Sequence, residues 1–189
     1  DVYKRQIRKR LNKSFAMISL VCSIGLVICG ISLFVISSQY HNALTNYGFA
    51  QGDIGKAMTT FSETRSALRA VIGYDDESEI NSEKKKYETK KKAFEGFMQD
   101  IESKMMTKAG KEAYQQAESA LNGYWTKADA ILQQGATTDK IASSAAQHKE
   151  IDELGPMYDE IYASLKNIMD IKMAKGNSVQ GTLNVVKYI

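Results

Sequence analysis

The longest apolar stretch of the sequence is residues 15–36, FAMISLVCSIGLVICGISLFVI, which contains no charged residue and no Pro, Asn or Gln. As an α-helix it would be about 33 Å long, enough to cross a hydrocarbon core of about 30 Å. The alternative is a cleaved signal peptide, which would have a shorter apolar region of about 7–15 residues and a small-residue cleavage site. Residues 37–40 (SSQY) make a poor cleavage site. We therefore predict an uncleaved transmembrane helix.

The segment before this helix is strongly basic, with Asp1 as its one acidic residue. Its basic residues are Lys4, Arg5, Arg8, Lys9, Arg10 and Lys13. Basic flanks stay on the cytoplasmic side of a membrane. We therefore predict a cytoplasmic tail at residues 1–14, a single N-terminal span at 15–36 in the cell membrane, and an extracytoplasmic domain at 37–189.

Apolar residues after the span recur every three or four positions, which predicts helices at about 37–73, 77–106, 108–134 and 138–187. Beside the apolar stripe of the first of these helices runs a stripe of small and polar residues. Its members are Thr45, Gly48, Gly52, Gly55, Thr59, Ser62 and Ser66. Three glycines within a helix are costly, so we expect a closely packed partner helix there, from this chain or from a second copy.

The segments between the predicted helices are short and polar. Candidate N-caps are Asp75 or Asp76, Thr107, and Thr138 or Asp139. In the last helix Gly155–Pro156 predicts a kink or short break. Upstream of this point one apolar register holds Ile141, Ala145 and His148, and downstream another holds Leu154, Tyr158, Ile161, Leu165 and Ile168.

Short connections favour antiparallel neighbours. The predicted fold class is therefore all-α, with a transmembrane helix continuing into an up-down-up-down antiparallel four-helix bundle. The last residues, 183–189 (LNVVKYI), are typical of an approach to a second membrane crossing, with Lys187 and Tyr188 at the interface.

Both cysteines, Cys22 and Cys29, lie in the membrane run, so no disulfide supports the exposed domain. They are one heptad apart, beside Gly25 and Gly30. They are either small apolar residues or part of the face of a homodimer. Outside the basic tail, acidic residues slightly outnumber basic ones, which gives no reason to expect a nucleic-acid partner.

The sequence contains no catalytic, haem, zinc, P-loop or dinucleotide motif, so we predict no enzyme activity, no cofactor and no metal site. Arg65, in contrast, occupies an apolar seam position, and Arg69 lies one turn further along the same side. Either the two arginines pair with acids such as Glu63, or they form an anion site, since guanidinium groups bind carboxylates bidentately. Counted along their helices, Arg69 and Pro156 lie the same number of residues from the predicted membrane surface. Both are therefore expected at the same height above that surface. We therefore expect Gly155 and Pro156 to offer backbone groups beside the arginines.

Three segments, residues 47–58 (YGFAQGDIGKAM), 69–76 (RAVIGYDD) and 175–178 (KGNS), resemble the N-terminal part of methyl-accepting chemotaxis receptors. The likeness covers nearly the whole chain. It implies a homodimeric four-helix-bundle sensor domain. Such a domain binds a small molecule, or a ligand-loaded binding protein, and passes a helix displacement across the lipid bilayer.

In amino-acid-sensing receptors of this kind, the ligand lies between arginines of the first bundle helix and the early part of the fourth. The resemblance therefore implies ligand-binding roles for Arg65, Arg69, Gly155, Pro156 and Met157. The chain departs from those receptors at Gly73, where a further basic residue would be expected. Two alternatives stay open: the same sensor domain on a histidine kinase or cyclase, and a membrane-anchored structural coiled coil that binds a partner protein.

Overall fold

The computed structural model describes residues 2–186, with the backbone alone at 180 and 182–186. Its α-helices are α1 (Val2–Ala43), α2 (Phe49–Val71), α3 (Glu77–Ser103), α4 (Lys108–Gly135), α5 (Lys140–Lys149) and α6 (Gly155–Val186). Two π-helical turns, Leu44–Gly48 and Glu150–Leu154, join α1 to α2 and α5 to α6. The prediction of an all-α four-helix bundle is confirmed. We call the continuous α1–α2 run helix 1 and the α5–α6 run helix 4.

The chain divides into two compact units, residues 1–42 with 183–189, and residues 43–182. In the first unit, α1 buries none of its residues. Helix 1 includes one stretch that is long and apolar enough to cross a membrane. Of the predicted second membrane approach, Lys187 and Tyr188 lie outside the described residues.

The second unit is the bundle, and its core is built around Phe61, which has no exposed surface. Four aromatic rings from α3, α4 and α6 surround it with centroid distances of 5.0 to 5.8 Å. These rings belong to Phe94, Tyr124, Trp125 and Tyr158. Burial of these rings contributes to the stability of the bundle through removal of apolar surface from water and through ring–ring contacts.

Helices α3, α4 and α5 start at side-chain caps, as the sequence predicts. Asp76 accepts from the backbone N–H groups of residues 78 and 79, Thr107 accepts from that of residue 110, and Asp139 accepts from that of residue 141. Each cap satisfies donors that the first helical turn leaves unpaired. The connections between the helices are therefore sharply defined and short.

The predicted register of α5 is wrong. Ile141 is 84% exposed and His148 is exposed, whereas Ser143, Ala146 and Glu150 are buried. Ser143 and Gln147 are turned toward the end of α2, because a backbone carbonyl there accepts hydrogen bonds from both side chains. The Ser143 hydroxyl and the Gln147 amide both donate to the carbonyl oxygen of Ile72, at 2.6 and 2.8 Å.

The irregularity predicted at Gly155–Pro156 takes the form of a π-turn directly before it, and the helix does not break. The N–H of Gly155 donates to the carbonyl of Glu150, five residues back. Pro156 has no N–H, and its ring would clash with the carbonyl four residues back in a regular α-helix. The wider π-turn accommodates that proline and also turns the Glu150 side chain inward.

Apart from the helix's own neighbouring backbone, no atom lies within 4 Å of the position that a Cβ would take on Gly52 or Gly55, and Thr59 and Ser66 are exposed. The small-residue stripe therefore leaves room for a neighbour at Gly52 and Gly55, whereas Ser62 of the same stripe contacts Tyr158 of α6. The closely packed partner helix, from this chain or from a second copy, stays a prediction at these positions.

Candidate functional site

The two arginines of α2 meet a single buried carboxylate. Arg65 Nε lies 2.7 Å from Glu150 Oε1, and Arg69 Nε lies 2.9 Å from Glu150 Oε2. The Glu150 side chain is 2% exposed, and it is positioned by the π-turn of helix 4. Each carboxylate oxygen thus has its own guanidinium, a charge-assisted arrangement that offsets the cost of burying the carboxylate.

The guanidinium of Arg65 packs against an aromatic side chain of α6. Its Cζ atom lies 4.4 Å from the centroid of the Tyr158 ring, which in turn stacks on Phe61. The Tyr158 hydroxyl shares a hydrogen bond of 2.6 Å with the Ser62 hydroxyl. With its side chain 14% exposed, Arg65 is fixed between the aromatic core and Glu150.

Arg69 is the accessible member of the pair, with 52% of its side chain exposed. It borders a cleft of about 320 Å³ between the end of α2 and helix 4. The cleft is lined by Arg69, Ile72, Gly73, Gln147, Glu150 and Ile151. A ligand that enters the cleft would contact the Arg69 guanidinium, which pairs with Glu150 but remains partly exposed to solvent.

Two guanidinium groups and one carboxylate leave this cluster with one excess positive charge. The cluster also affects the neighbouring Tyr124. Burial raises the pKa of its hydroxyl above the usual range and Glu150 adds to this rise, while Arg65 opposes it. In a setting of this polarity an external anion would be attracted to the exposed end of Arg69.

The structure brings together some of the predicted site residues. Gly155 lies beside the arginines, since a Cβ built on it would be 3.4 Å from Arg65 Nη2. Pro156 is exposed. Met157 approaches α4 instead, with its Cε 3.4 Å from the Cβ position of Gly123. The ligand-binding role of these residues stays a prediction.

Sequence reasoning missed Glu150 as the partner of the arginines. The acid suggested there, Glu63, pairs instead with Lys90 at 2.7 Å, so that pairing is wrong. The available signal was weak: Glu150 is one of three acids in the five residues before the Gly–Pro irregularity, and Asp152 and Glu153 lie nearer to it. The inward orientation of Glu150 follows from the π-turn, which the apolar pattern does not reveal.

Comparison with protein families matches residues 4–184 to a model described as a four helix bundle sensory module for signal transduction. The chain belongs to this family. The resemblance to methyl-accepting chemotaxis receptors is thereby confirmed at the level of the sensory module. A comparison with curated protein sequences finds no match. A sensory module is not itself catalytic, and the apolar helix at its N-terminus fits a membrane protein.

The Arg65–Glu150 pair predicts a large loss of stability when one partner is removed. Arg65→Ala should lower the free energy of unfolding by about 3 kcal/mol, because Glu150 keeps its buried charge with one partner fewer. Lys90→Ala, which breaks the more exposed pair with Glu63, should cost at most about 1 kcal/mol. Chemical denaturation of the full chain in detergent micelles measures both.

The double variant Arg65→Ala/Glu150→Ala should cost less than the sum of its single changes, because it removes both buried charges together and leaves only Arg69, which is half exposed, without its partner. Strict additivity of the two single changes would contradict the coupling of Arg65 and Glu150.

Proposed function

We propose that residues 43–182 are the extracytoplasmic sensor domain of a bacterial chemoreceptor, and that they bind a small carboxylate at Arg69. The observation that carries the proposal is an exposed guanidinium beside a cleft, in a cluster whose other two charges are largely buried. The family supports sensing and signal transduction. A ligand-loaded binding protein remains the second form in which a stimulus could reach the same site.

Glu150 gives the proposed site a mechanism. An incoming carboxylate competes with Glu150 for Arg69, since both are anions that bind the same guanidinium. Ligand binding then weakens the link between α2 and the π-turn of helix 4. A ligand shifts a conformational equilibrium only through different affinities for its states, and the state with a loosened Glu150 would bind the carboxylate better. The consequence is a small displacement of helix 4 relative to helix 1.

We further propose that the sensor is a homodimer anchored in the lipid bilayer, with its N-terminus in the cytoplasm. Two features support this arrangement: the open space beside Gly52 and Gly55 of α2, and the basic tail before the apolar run. Small residues allow the close approach of helix backbones.

A thermal-shift screen of the full chain in detergent tests direct carboxylate sensing, with amino acids and organic acids as probes. A binding compound at about 100 times its Kd should stabilise the chain by about 2.7 kcal/mol. Arg69→Ala should abolish that stabilisation. Lys127→Ala, which removes another exposed cation from an ion pair with Glu153, should preserve it.

Glu150→Gln should enlarge the shift, because it removes the internal competitor while keeping a side chain of the same size. If no compound loses its effect on Arg69→Ala, the carboxylate site is wrong. A rigid partner-binding coiled coil would then be the better interpretation.

The dimer proposal predicts disulfide-linked dimers through Cys22 or Cys29, both exposed on α1, when native membranes are oxidised. Non-reducing gel electrophoresis measures them, with the Cys22→Ala/Cys29→Ala double variant as control. The absence of any crosslinked species at either position would count against pairing through this helix face.

A further inference from the structure

Lys172 of α6 is a buried lysine that the proposed ligand site does not use. It is 3% exposed, and its ammonium donates to the carbonyl oxygen of Asn46 at 3.0 Å and to that of Lys104. Asn46 lies in the π-turn of helix 1, and Lys104 is the C-cap of α3. A single side chain thus joins three elements of the bundle.

The surroundings of this ammonium offset its charge only in part, since no described carboxylate forms an ion pair with it. The groups that face it are the ring of Tyr47, whose centroid is 5.5 Å away, and the cation Lys104, which itself pairs with Asp53. Both of its acceptors are backbone carbonyls. Burial, and secondarily the charge of Lys104, lower the pKa of Lys172 to about 8.

The contact between α6 and the π-turn of helix 1 continues one turn beyond Lys172. A Cβ built on Gly176 would lie 3.3 Å from the Cβ of Tyr47. The glycine therefore lets α6 approach helix 1 closely at this level. Any change at Lys172 acts directly on the packing of these two helices.

We propose that Lys172 is a proton-controlled latch: buried, it ties α6 to the π-turn of helix 1 and to the end of α3, and proton uptake favours its release into solvent. The sensor domain would then respond to external pH through a site separate from the arginines. The proposal rests on the proposed extracytoplasmic placement of the bundle but not on carboxylate binding at Arg69.

The direction of the response follows from linkage. A lysine released into water has a pKa of about 10.4, so the released state binds protons more tightly than the latched state. Raising the pH from 7 to 9 therefore favours the latch. With the pKa of about 8 for the buried side chain, the ratio of latched to released states should rise about tenfold over that range.

Amide hydrogen exchange of the full chain in lipid nanodiscs, at pH 7 and pH 9, tests the latch. Rates must be expressed as protection factors, which removes the intrinsic pH dependence of exchange. Protection of the Leu44–Gly48 π-turn should rise up to about tenfold in the wild type between the two pH values. Lys172→Met keeps the apolar stem but cannot titrate, so its protection should not change with pH.

Lys175→Met is the matched control, since it removes an exposed lysine from the same stretch of α6 and should behave as the wild type. Equal pH dependence in the wild type and in Lys172→Met would overturn the proposal. A second measurement uses the wild-type chain and so does not depend on the folding of a Lys172 variant. NMR titration of the lysine side chains should show one resonance with a titration midpoint near pH 8. Absence of such a resonance would also overturn it.

Discussion

The buried carboxylate of Glu150 is the constraint on which the packing between the end of α2 and the start of helix 4 depends. A charge with 2% exposure is tolerated only when its partners are close and oriented, and here each oxygen faces one arginine of α2. The π-turn delivers this side chain inward and at the same time accommodates Pro156. Around it, α5 donates two hydrogen bonds to the carbonyl of Ile72, so that the end of α2 and the start of helix 4 form one polar joint.

A contact between a charged side chain and the facing helix is also found at the other π-turn. At Glu150–Leu154, helix 1 supplies cations to a side chain of helix 4, and at Leu44–Gly48, helix 4 supplies the cation Lys172 to a carbonyl of helix 1. Helices 1 and 4 are therefore tied at two levels by charged groups, with the aromatic core around Phe61 between them. In a sensory module, ties between these two helices are the contacts that a stimulus can change without unfolding the core.

Much of this architecture is predictable from the sequence, and the reasons are local. Residues such as Asp76, Thr107 and Asp139 cap helices wherever they precede an apolar repeat, and an arginine at a seam position indicates a buried ion pair or an anion site. The site residues beyond the arginines were harder to predict. A π-turn shifts the register by one residue, so Ile141 faces solvent and Ser143 and Glu150 face the bundle, against the apolar pattern. Lys172 was missed for a related reason: a lysine is normally exposed, and its acceptors are carbonyls that no sequence pattern marks.

The most direct test of this account is whether Glu150 holds the joint between α2 and helix 4. Amide exchange of the full chain should be compared between the wild type, Glu150→Gln and the exposed control Glu153→Gln. The account predicts exchange at least about tenfold faster in the π-turn Glu150–Leu154 for Glu150→Gln, since about 1.4 kcal/mol of local stability corresponds to a factor of ten, and no change for the control. Unchanged exchange in Glu150→Gln, or equal loosening by Glu153→Gln, would contradict it.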